Sequence, residues 1–478
     1  MQYSKHVVSG VTWTTIQTLI NRSSGFIVKM ILARLLFPED YGIVGMAVVF
    51  SGFFKSFTDL GFGSAIIQRD EEVINDTYLS TAFWSNIIWS LLSYLLLVFL
   101  ISPFAASFYN ESILIHVIPA LGIPIITYPL FLVQRSVMTK NLNFKKIAVI
   151  NNTASVVSGI IAVALAYFGF GVWALVAQSV IQSLIELPLY YKNSPWKPKW
   201  VFDKEAFRDM FGFGSFTTLS SLTYKFSSQG DYFLVGKILG KIELGLYSFA
   251  FILTDSIRIQ VRQIIDVVMY PIYSKAKNDF DLQVKFLNKS ILFNSLLISP
   301  IMGLLFISTE WVTILFGEKW IDSLLVIKLV SISVIIQILT NSFSTIMRAN
   351  NKSYIEFKLQ VIKVFVFYLP VIFIGTYYYG LIGCSVSVII GRIFVNLINL
   401  WALKFYLRIP VMDLLVSFLR GIAPTVLSSI LIYLLFIFSE FNLGTLVIKT
   451  ILLLIIISVS SFMLNKSEIK NLLKTIKK

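Results

Sequence analysis

Long apolar runs, separated by short polar connectors, dominate the hydropathy pattern of this chain. A helix needs about 20 mostly apolar residues to cross a bilayer, and the pattern divides into about fourteen such runs. The predicted spans are 9–33, 42–65, 77–101, 114–138, 147–167, 171–191, 209–233, 244–270, 287–308, 323–347, 359–377, 380–403, 415–437 and 445–464. The connectors are too short for a separate soluble domain. The pattern therefore predicts an all-α polytopic membrane protein.

The composition agrees with this interpretation. Of the 478 residues, 56% are hydrophobic and only 14% are charged, and the mean hydropathy is +0.80. A soluble domain carries about 25% charged residues. The single cysteine, Cys384, excludes a disulfide framework, and two histidines are too few for a ligand cluster, so we expect no metal and no bound cofactor. We also expect no removable signal peptide, because the N-terminal segment lacks a small-residue cleavage site.

The basic residues predict the orientation of the chain. The formal net charge is +15, but the positive charges are dispersed through an apolar chain, so we expect no nucleic-acid partner. Lys and Arg instead concentrate in alternate connectors, notably 192–208, and in the tail after residue 465, as the positive-inside rule requires of cytoplasmic segments. Both termini are therefore predicted to be cytoplasmic.

The chain contains a weak internal repeat at an offset of about 203 residues. Residues 40–43 correspond to 243–246, and the intervening six spans give both copies the same orientation. Such a parallel repeat is typical of transporters with two lobes around a central cavity. We predict six-helix lobes at 1–191 and 209–403. A cytoplasmic linker at 192–208 would join them, and two extra helices with a basic tail would follow at 404–478.

Cations near the middle of the predicted spans form the candidate substrate site. A charge at the centre of a membrane helix costs at least ~2.5 kcal/mol, so it normally faces a cavity or a partner. On the repeat, Arg22 corresponds to Lys225 and Lys55 to Arg258. Arg262 shares a helix face with Arg258. These five cations predict an anion site, for which phosphate is the natural ligand.

Three intramembrane acids have two open interpretations. Asp59, Asp255 and Asp266 either bind a coupling proton or sodium ion, or neutralise the nearby cations and hold helices together. Arg392, Lys328 and Lys29 are weaker candidates for the substrate site, since Lys29 and Lys328 lie near the ends of their spans.

Three blocks resemble a known family: residues 31–47 (ILARLLFPEDYGIVGMA), 59–68 (DLGFGSAIIQ) and 80–86 (STAFWSN). They resemble the O-antigen-type polysaccharide flippases of the multidrug/oligosaccharidyl-lipid/polysaccharide superfamily, especially the branch associated with colanic and teichuronic acid export. The resemblance is strongest over residues 1–100. It implies two six-helix lobes around a V-shaped cavity, with two extra C-terminal helices.

The resemblance also implies a function. Such proteins move undecaprenyl-diphosphate-linked oligosaccharide from the cytoplasmic to the external leaflet of the bacterial cytoplasmic membrane by alternating access, and relatives couple export to proton or sodium entry. Cationic cavity residues characterise the family, but no invariant motif does. No site residue is therefore transferred, and the candidate residues depend on the repeat and on their position in the spans.

Three alternatives remain open at this stage. A multidrug exporter on the same scaffold would have a lumen dominated by acids or aromatic residues. A membrane polysaccharide polymerase or ligase would need a large external loop with catalytic residues, and the only modest candidate is 309–322, where Trp311, Phe316 and Trp320 favour an interfacial role. A flippase for a cell-wall lipid precursor differs only in the sugar that it carries.

Overall fold

The computed structural model describes residues 25–70, 74–194, 196–437 and 442–466, without the side chains of residues 57, 213–228, 267 and 278. Within these ranges all regular secondary structure is helical, as the hydropathy pattern predicts. Contacts along the chain divide it into two compact units, Met1–Gly245 and Leu246–Lys478. The sequence predicts lobes joined at 192–208; that assignment stays a prediction.

The N-terminal unit contains ten of the described helices in whole or in part. They are α1 (25–35), α2 (Pro38–Phe57), α3 (Phe62–Gln68), α4 (Asp76–Leu96), α5 (Ser102–Tyr109), α6 (Leu114–Lys140), α7 (Phe144–Tyr167), α8 (Val172–Asn193), α9 (Lys204–Leu239) and the start of α10 (Lys241–Leu253). A π-helical segment, Leu97–Ile101, joins α4 to α5. The predicted connector 192–208 folds onto this unit, because the indole of Trp84 donates to the carbonyl of Lys199 at 2.8 Å and Trp196 is buried against Phe83.

The C-terminal unit holds the remaining described helices. They are α11 (Asp255–Lys275), α12 (Phe280–Ile307), α13 (Trp311–Phe316), α14 (Leu324–Ile338), α15 (Phe343–Ala349), α16 (Ser353–Ile362), α17 (Leu369–Leu407), α18 (Val411–Phe436) and α19 (Leu443–Leu464). A second π-helical segment, Lys363–Tyr368, joins α16 to α17. The helical path of α17 is interrupted at Gly380, whose φ of 61° is left-handed. α17 therefore contains the end of the predicted span 359–377 and all of the predicted span 380–403.

Nine helices in the described part of the chain are long and apolar enough to cross a membrane. One of these nine helices is Ser353–Leu407, which includes the interruption at Gly380 and is counted as a single helix. This confirms a multi-pass membrane protein. The total of about fourteen spans stays a prediction, since most of the predicted first span lies outside the described residues.

Local sequence signals explain where the central helices begin. Pro38 stands in the first turn of α2, where its missing N–H removes no hydrogen bond, and Asp40 accepts the N–H of Phe37 at 3.0 Å. The conspicuous PEDYG block is thus a helix start. In α9 the side chain of Asp203 accepts the N–H of Glu205 at 3.1 Å. α2 and α10 begin at positions separated by the repeat offset, and their first turns pack closely together.

Candidate functional site

The structure describes the side chains of six of the eight predicted site residues. Arg22 lies outside the described residues. Lys225 belongs to the part of α9, residues 213–228, for which the structure describes the backbone and not the side chains. Lys55 and Asp59 belong to the N-terminal unit, and the other four to the C-terminal unit. Their assembly into one shared substrate site stays a prediction.

In the N-terminal unit, Asp59 lies at a break in a helix within the predicted span 42–65. α2 ends at Phe57 and α3 begins at Phe62, and Gly61 adopts a left-handed φ of 82° between them. The carboxylate of Asp59 accepts the backbone N–H of Gly63 at 3.2 Å, so it stabilises the N-terminal turn of α3, whose first N–H groups have no partner within the helix. Interrupted helices are where many transporters bind substrates and ions.

Lys55 lies one turn before this break, near two charges that sequence analysis did not single out. It interacts electrostatically with Glu186 on α8 and with Arg135 on α6. Asp59 also interacts with Arg135. The N-terminal unit therefore groups two cations with two carboxylates, which makes this cluster close to neutral.

Aromatic and amide groups surround the N-terminal cluster. The guanidinium of Arg135 lies 5.9 Å from the ring centroid of Tyr128, within the range of a cation–π contact. Glu186 accepts a hydrogen bond from the Gln182 amide at 3.0 Å. Arg135 and Glu186 lie near the ends of the predicted spans 114–138 and 171–191, so a rule that selects charges near the middle of a span did not select them.

In the C-terminal unit, Asp255 is held between two guanidinium groups. It stands at the start of α11, where Thr254 interrupts the helical path from α10. Arg258 donates through Nε at 2.8 Å and through a terminal nitrogen at 3.1 Å, and Arg392 from α17 donates at 2.7 Å. Asp255 and Arg392 are both buried. This doubly paired carboxylate therefore connects α11 to α17.

The network around Arg258 extends through buried amides. Its remaining terminal nitrogen donates to the Asn341 side-chain oxygen at 2.8 Å, and Asn341 donates to Asn294 at 2.9 Å. The amide of Asn294 in turn reaches the carbonyl of Ser290. Buried polar groups need such partners, so the chain of amides fixes the direction of the Arg258 side chain.

Lys363 adds a cation that sequence analysis did not select. It opens the π-helical segment, is 3% exposed, and donates to Asn399 at 2.9 Å. Its ammonium lies 4.7 Å from the ring centroid of Phe343. Single-turn π-helices are frequent at functional sites. Sequence reasoning missed it because Lys363 lies near the start of the predicted span 359–377.

Arg262 is a further cation of the C-terminal cluster. It forms an ion pair of 3.1 Å with Asp266 one turn later on α11, and it interacts electrostatically with Lys363. The pairing of cations with acids, which the sequence left open, is thus present at Arg258 and Arg262. A role of these residues in substrate or ion binding stays a prediction.

The C-terminal cluster has more cations than carboxylates. Among the described residues, Arg258 and Arg392 pair with Asp255 and Arg262 pairs with Asp266, while Lys363 interacts with Glu356, which also pairs with Arg348. These five cations face three carboxylates. One terminal nitrogen of Arg392 is buried without a hydrogen-bond partner among the described residues. Guanidinium and ammonium groups with unused donors are suited to binding phosphate oxygens. Among the described residues no group of His, Cys, Asp and Glu has the arrangement of a metal site.

Comparison with known proteins decides the family. The family described as "Polysaccharide biosynthesis protein" matches residues 31–325, which is more than half of the chain. The chain belongs to this polysaccharide biosynthesis family. The match includes all three blocks from which the sequence analysis drew its resemblance to polysaccharide exporters, and that resemblance is confirmed.

Two bacterial relatives of this family member match over most of their length. The teichuronic acid biosynthesis protein TuaB of Bacillus subtilis (strain 168) is 24% identical over 359 residues, covering 74% of this chain and 73% of TuaB. The lipopolysaccharide biosynthesis protein WzxC of Escherichia coli (strain K12) is 24% identical over 448 residues, covering 88% of this chain and 89% of WzxC.

A solved structure shares the fold of this family member. The lipid II flippase MurJ, in an inward closed conformation, aligns with a TM-score of 0.74 at 17% sequence identity, covering 96% of this chain and 100% of the MurJ chain. The predicted all-α transporter fold is therefore confirmed.

Proposed function

We propose that this protein is a flippase that moves lipid-linked oligosaccharides across the membrane for the synthesis of a cell-surface polysaccharide. Its family, the relatives TuaB and WzxC, and the MurJ fold support this function. The observation that carries the proposal is that two guanidinium groups, Arg258 and Arg392, share the single carboxylate of Asp255, and that one buried nitrogen of Arg392 has no hydrogen-bond partner among the described residues. The proposed substrate is an oligosaccharide linked through a diphosphate to undecaprenol.

The physical problem of flipping explains why buried cations matter. Sugars and phosphates that cross hydrocarbon without partners lose several kcal/mol for each unsatisfied polar group. Arg392 and Lys363 would supply charged donors to the diphosphate, at positions inside the helices of the C-terminal unit. The prenyl tail can stay in lipid throughout. Alternating access would then change the leaflet to which the bound diphosphate is open.

The direction and energy source belong to the same proposal. We place the protein in the bacterial cytoplasmic membrane with both termini inside, because the basic connectors and the basic tail favour this orientation. Transport would run outward and be driven by proton or sodium entry. We select Asp59 as the candidate for the coupling site because it lies at the break between α2 and α3.

A multidrug exporter is the remaining alternative on a transporter scaffold. Positively charged drugs need a lumen with a surplus of acidic or aromatic groups. In the C-terminal unit the charges around Asp255 have the opposite balance, which favours an anionic substrate. The distribution of charge therefore supports the lipid-linked oligosaccharide.

The test is the leaflet distribution of undecaprenyl-diphosphate-oligosaccharide in host cells that lack the gene and receive defined variants. Lys363→Gln removes a cation while keeping a donor for Asn399. We expect it to cause accumulation on the cytoplasmic side, as in cells without the protein. Lys404→Gln, at an exposed position of α17, is the matched control and should behave like the natural protein.

Two outcomes would contradict parts of this proposal. An unchanged distribution in cells that lack the gene, with no second exporter present, would refute the flippase function. Suppose instead that the deletion strain is defective, but the Lys363→Gln variant is present in the membrane at the normal level and flips normally. The flippase function would then stand, and Lys363 would not belong to the substrate site.

A further inference from the structure

A cavity of about 620 Å³ lies among α12, α14, α18 and α19 of the C-terminal unit. Its size falls within the ~300–1,000 Å³ typical of small-molecule sites. Most of its wall is apolar, formed by side chains such as Ile332, Ile335, Ile430 and Leu434. None of the residues that surround Asp255 lines this cavity, so it is a separate feature from the candidate substrate site.

Three charged side chains line the cavity. Lys449 from α19 lies 3.9 Å from Glu310, measured from Nζ to Oε1. Lys328 from α14 also lines the cavity, and no carboxylate of the described residues lies within 4.0 Å of it. Two ammonium groups and one carboxylate therefore line the cavity, and only Lys449 is paired with the carboxylate. The cavity has a net charge of one positive unit, which is costly beside apolar walls without a counterion.

Three polar atoms of the same cavity lack hydrogen-bond partners. They are the hydroxyls of Ser331 and Ser429 and the second carboxylate oxygen of Glu310, all buried and unpartnered within the described part of the chain. Ser331 is 0% exposed. Buried polar groups in folded proteins nearly always have partners. Three unsatisfied groups around one cavity therefore indicate a polar ligand.

Both lysines lie within the first two turns of their helices. α14 begins at Leu324 and α19 at Leu443. At 1.5 Å per residue, Lys328 and Lys449 lie about 6 Å and about 9 Å along their helices. The interfacial layer on each side of the hydrocarbon core is about 5–8 Å thick. A lipid phosphate at this depth would have its acyl chain beside the isoleucines of the wall.

We propose that this cavity binds one membrane phospholipid with a single negative charge and a hydroxylated headgroup, the chemistry of phosphatidylglycerol. The phosphodiester accepts from Lys328, Lys449 and Ser331, and a headgroup hydroxyl donates to the free oxygen of Glu310. One acyl chain occupies the apolar part of the cavity. One anionic lipid neutralises the surplus charge, which a zwitterionic lipid does not.

This lipid is a resident ligand and not the transported substrate. The cavity has one surplus positive charge, whereas a diphosphate carries more than one negative charge. The proposal does not depend on the flippase function, and its test uses no transport measurement.

The experiment is a lipid titration of the full-length protein, purified in a neutral detergent, with its melting temperature as the readout. Dioctanoyl phosphatidylglycerol is compared with the phosphatidylcholine and phosphatidylethanolamine of the same chain length and with inorganic phosphate. We expect the melting temperature to rise to a plateau with phosphatidylglycerol and to stay unchanged with the other three ligands. An equal rise with either zwitterionic lipid would overturn the proposed headgroup, and an equal rise with phosphate would replace the lipid by a free anion.

Two variants test the assigned contacts. Lys328→Met should raise the half-saturating concentration of phosphatidylglycerol about tenfold, whereas the exposed control Lys404→Met should leave it unchanged. Ser331→Ala removes an unpartnered buried hydroxyl, so we expect the lipid-free protein to keep or gain stability while the lipid-dependent rise becomes smaller. Identical titrations for Lys328→Met, Ser331→Ala and the natural protein would refute the site.

Discussion

The α-carbon of Gly42 lies directly against the backbone of Lys241. A methyl group added to Gly42 would stand 1.7 Å from the carbonyl oxygen of Lys241, and one added to Gly245 would stand 1.8 Å from that of Pro38. The two contacts are reciprocal, because Gly42 and Gly245 are equivalent positions of the repeat, as are Pro38 and Lys241. The first turns of α2 and α10 therefore cross at a distance that only glycine allows, within the N-terminal unit.

This crossing leads to a prediction for Gly42→Ala. The added methyl group cannot be accommodated by a side-chain movement, since the neighbour is backbone, so the starts of α2 and α10 must separate. In a transporter that alternates between two conformations, a close backbone contact of this kind is made in one conformation and lost in the other. We expect the variant to favour the separated state and to reduce flipping in cells.

Thiol labelling measures this shift directly. Met46 is buried one turn below Gly42. In a Cys384→Ala background, a cysteine at position 46 should react faster with an external membrane-impermeant reagent when Gly42→Ala is present. Gly25→Ala is the control, because a methyl group there meets no atom of the described part of the chain within 4 Å. Unchanged labelling with Gly42→Ala would mean that the crossing does not control access.

The second prediction compares two carboxylates of α11. Asp255→Asn leaves Arg258 and Arg392 buried side by side without a counterion, and losing one partner of a buried ion pair costs about 3–5 kcal/mol. Asp266→Asn affects one pair of partly exposed side chains, for which about 1 kcal/mol or less is typical. We expect the melting temperature to fall much further for Asp255→Asn.

A second substitution tests whether the loss of stability in Asp255→Asn comes from uncompensated charge. Adding Arg392→Gln to Asp255→Asn removes one of the two uncompensated guanidinium groups, and it should recover part of the lost stability. If the double variant is less stable than Asp255→Asn by the full effect of Arg392→Gln alone, the two residues are energetically independent and the proposed pairing is wrong.

The sequence was sufficient to predict the fold class, because span length and apolar composition are properties of the chain itself. The predicted spans follow the described helices closely, and the offset of the repeat aligns Gly42 with Gly245 as equivalent positions. The helix breaks at Asp59 and Asp255 were not predicted. They depend on backbone conformations, such as the left-handed Gly61, that a hydropathy pattern does not contain.

The site was predicted only in part, for a physical reason. Depth within a span selects charged residues, but it does not say which helices meet. Arg258 and Asp255 were selected, whereas their contact with Arg392 and Asn341 joins residues far apart in sequence. Lys363 was missed because a lysine near a span end is normally assigned to the interface, yet the π-helical segment buries it.

A third prediction concerns Trp320, which the sequence assigned to an interfacial loop. The structure corrects this, because Trp320 is 0% exposed and stacks on Phe249 with ring centroids 3.9 Å apart. Trp320→Ala should lower the free energy of unfolding by about 3–5 kcal/mol. Trp200→Ala, at a side chain that is 87% exposed, should cost far less. Comparable losses in chemical denaturation would show that Trp320 is not part of the core.

The last prediction tests Asp59 as the coupling residue. An asparagine at this position keeps an oxygen for the N–H of Gly63, so α3 should still form, but it removes the charge that interacts with Arg135. In proteoliposomes we expect Asp59→Asn to lose the stimulation of transport by an imposed proton or sodium gradient, whichever drives the natural protein, while Asp281→Asn at an exposed position keeps it. Full gradient dependence in Asp59→Asn would exclude this carboxylate, and a coupling role would then require Asp255 or Asp266 to leave its guanidinium partner during the cycle.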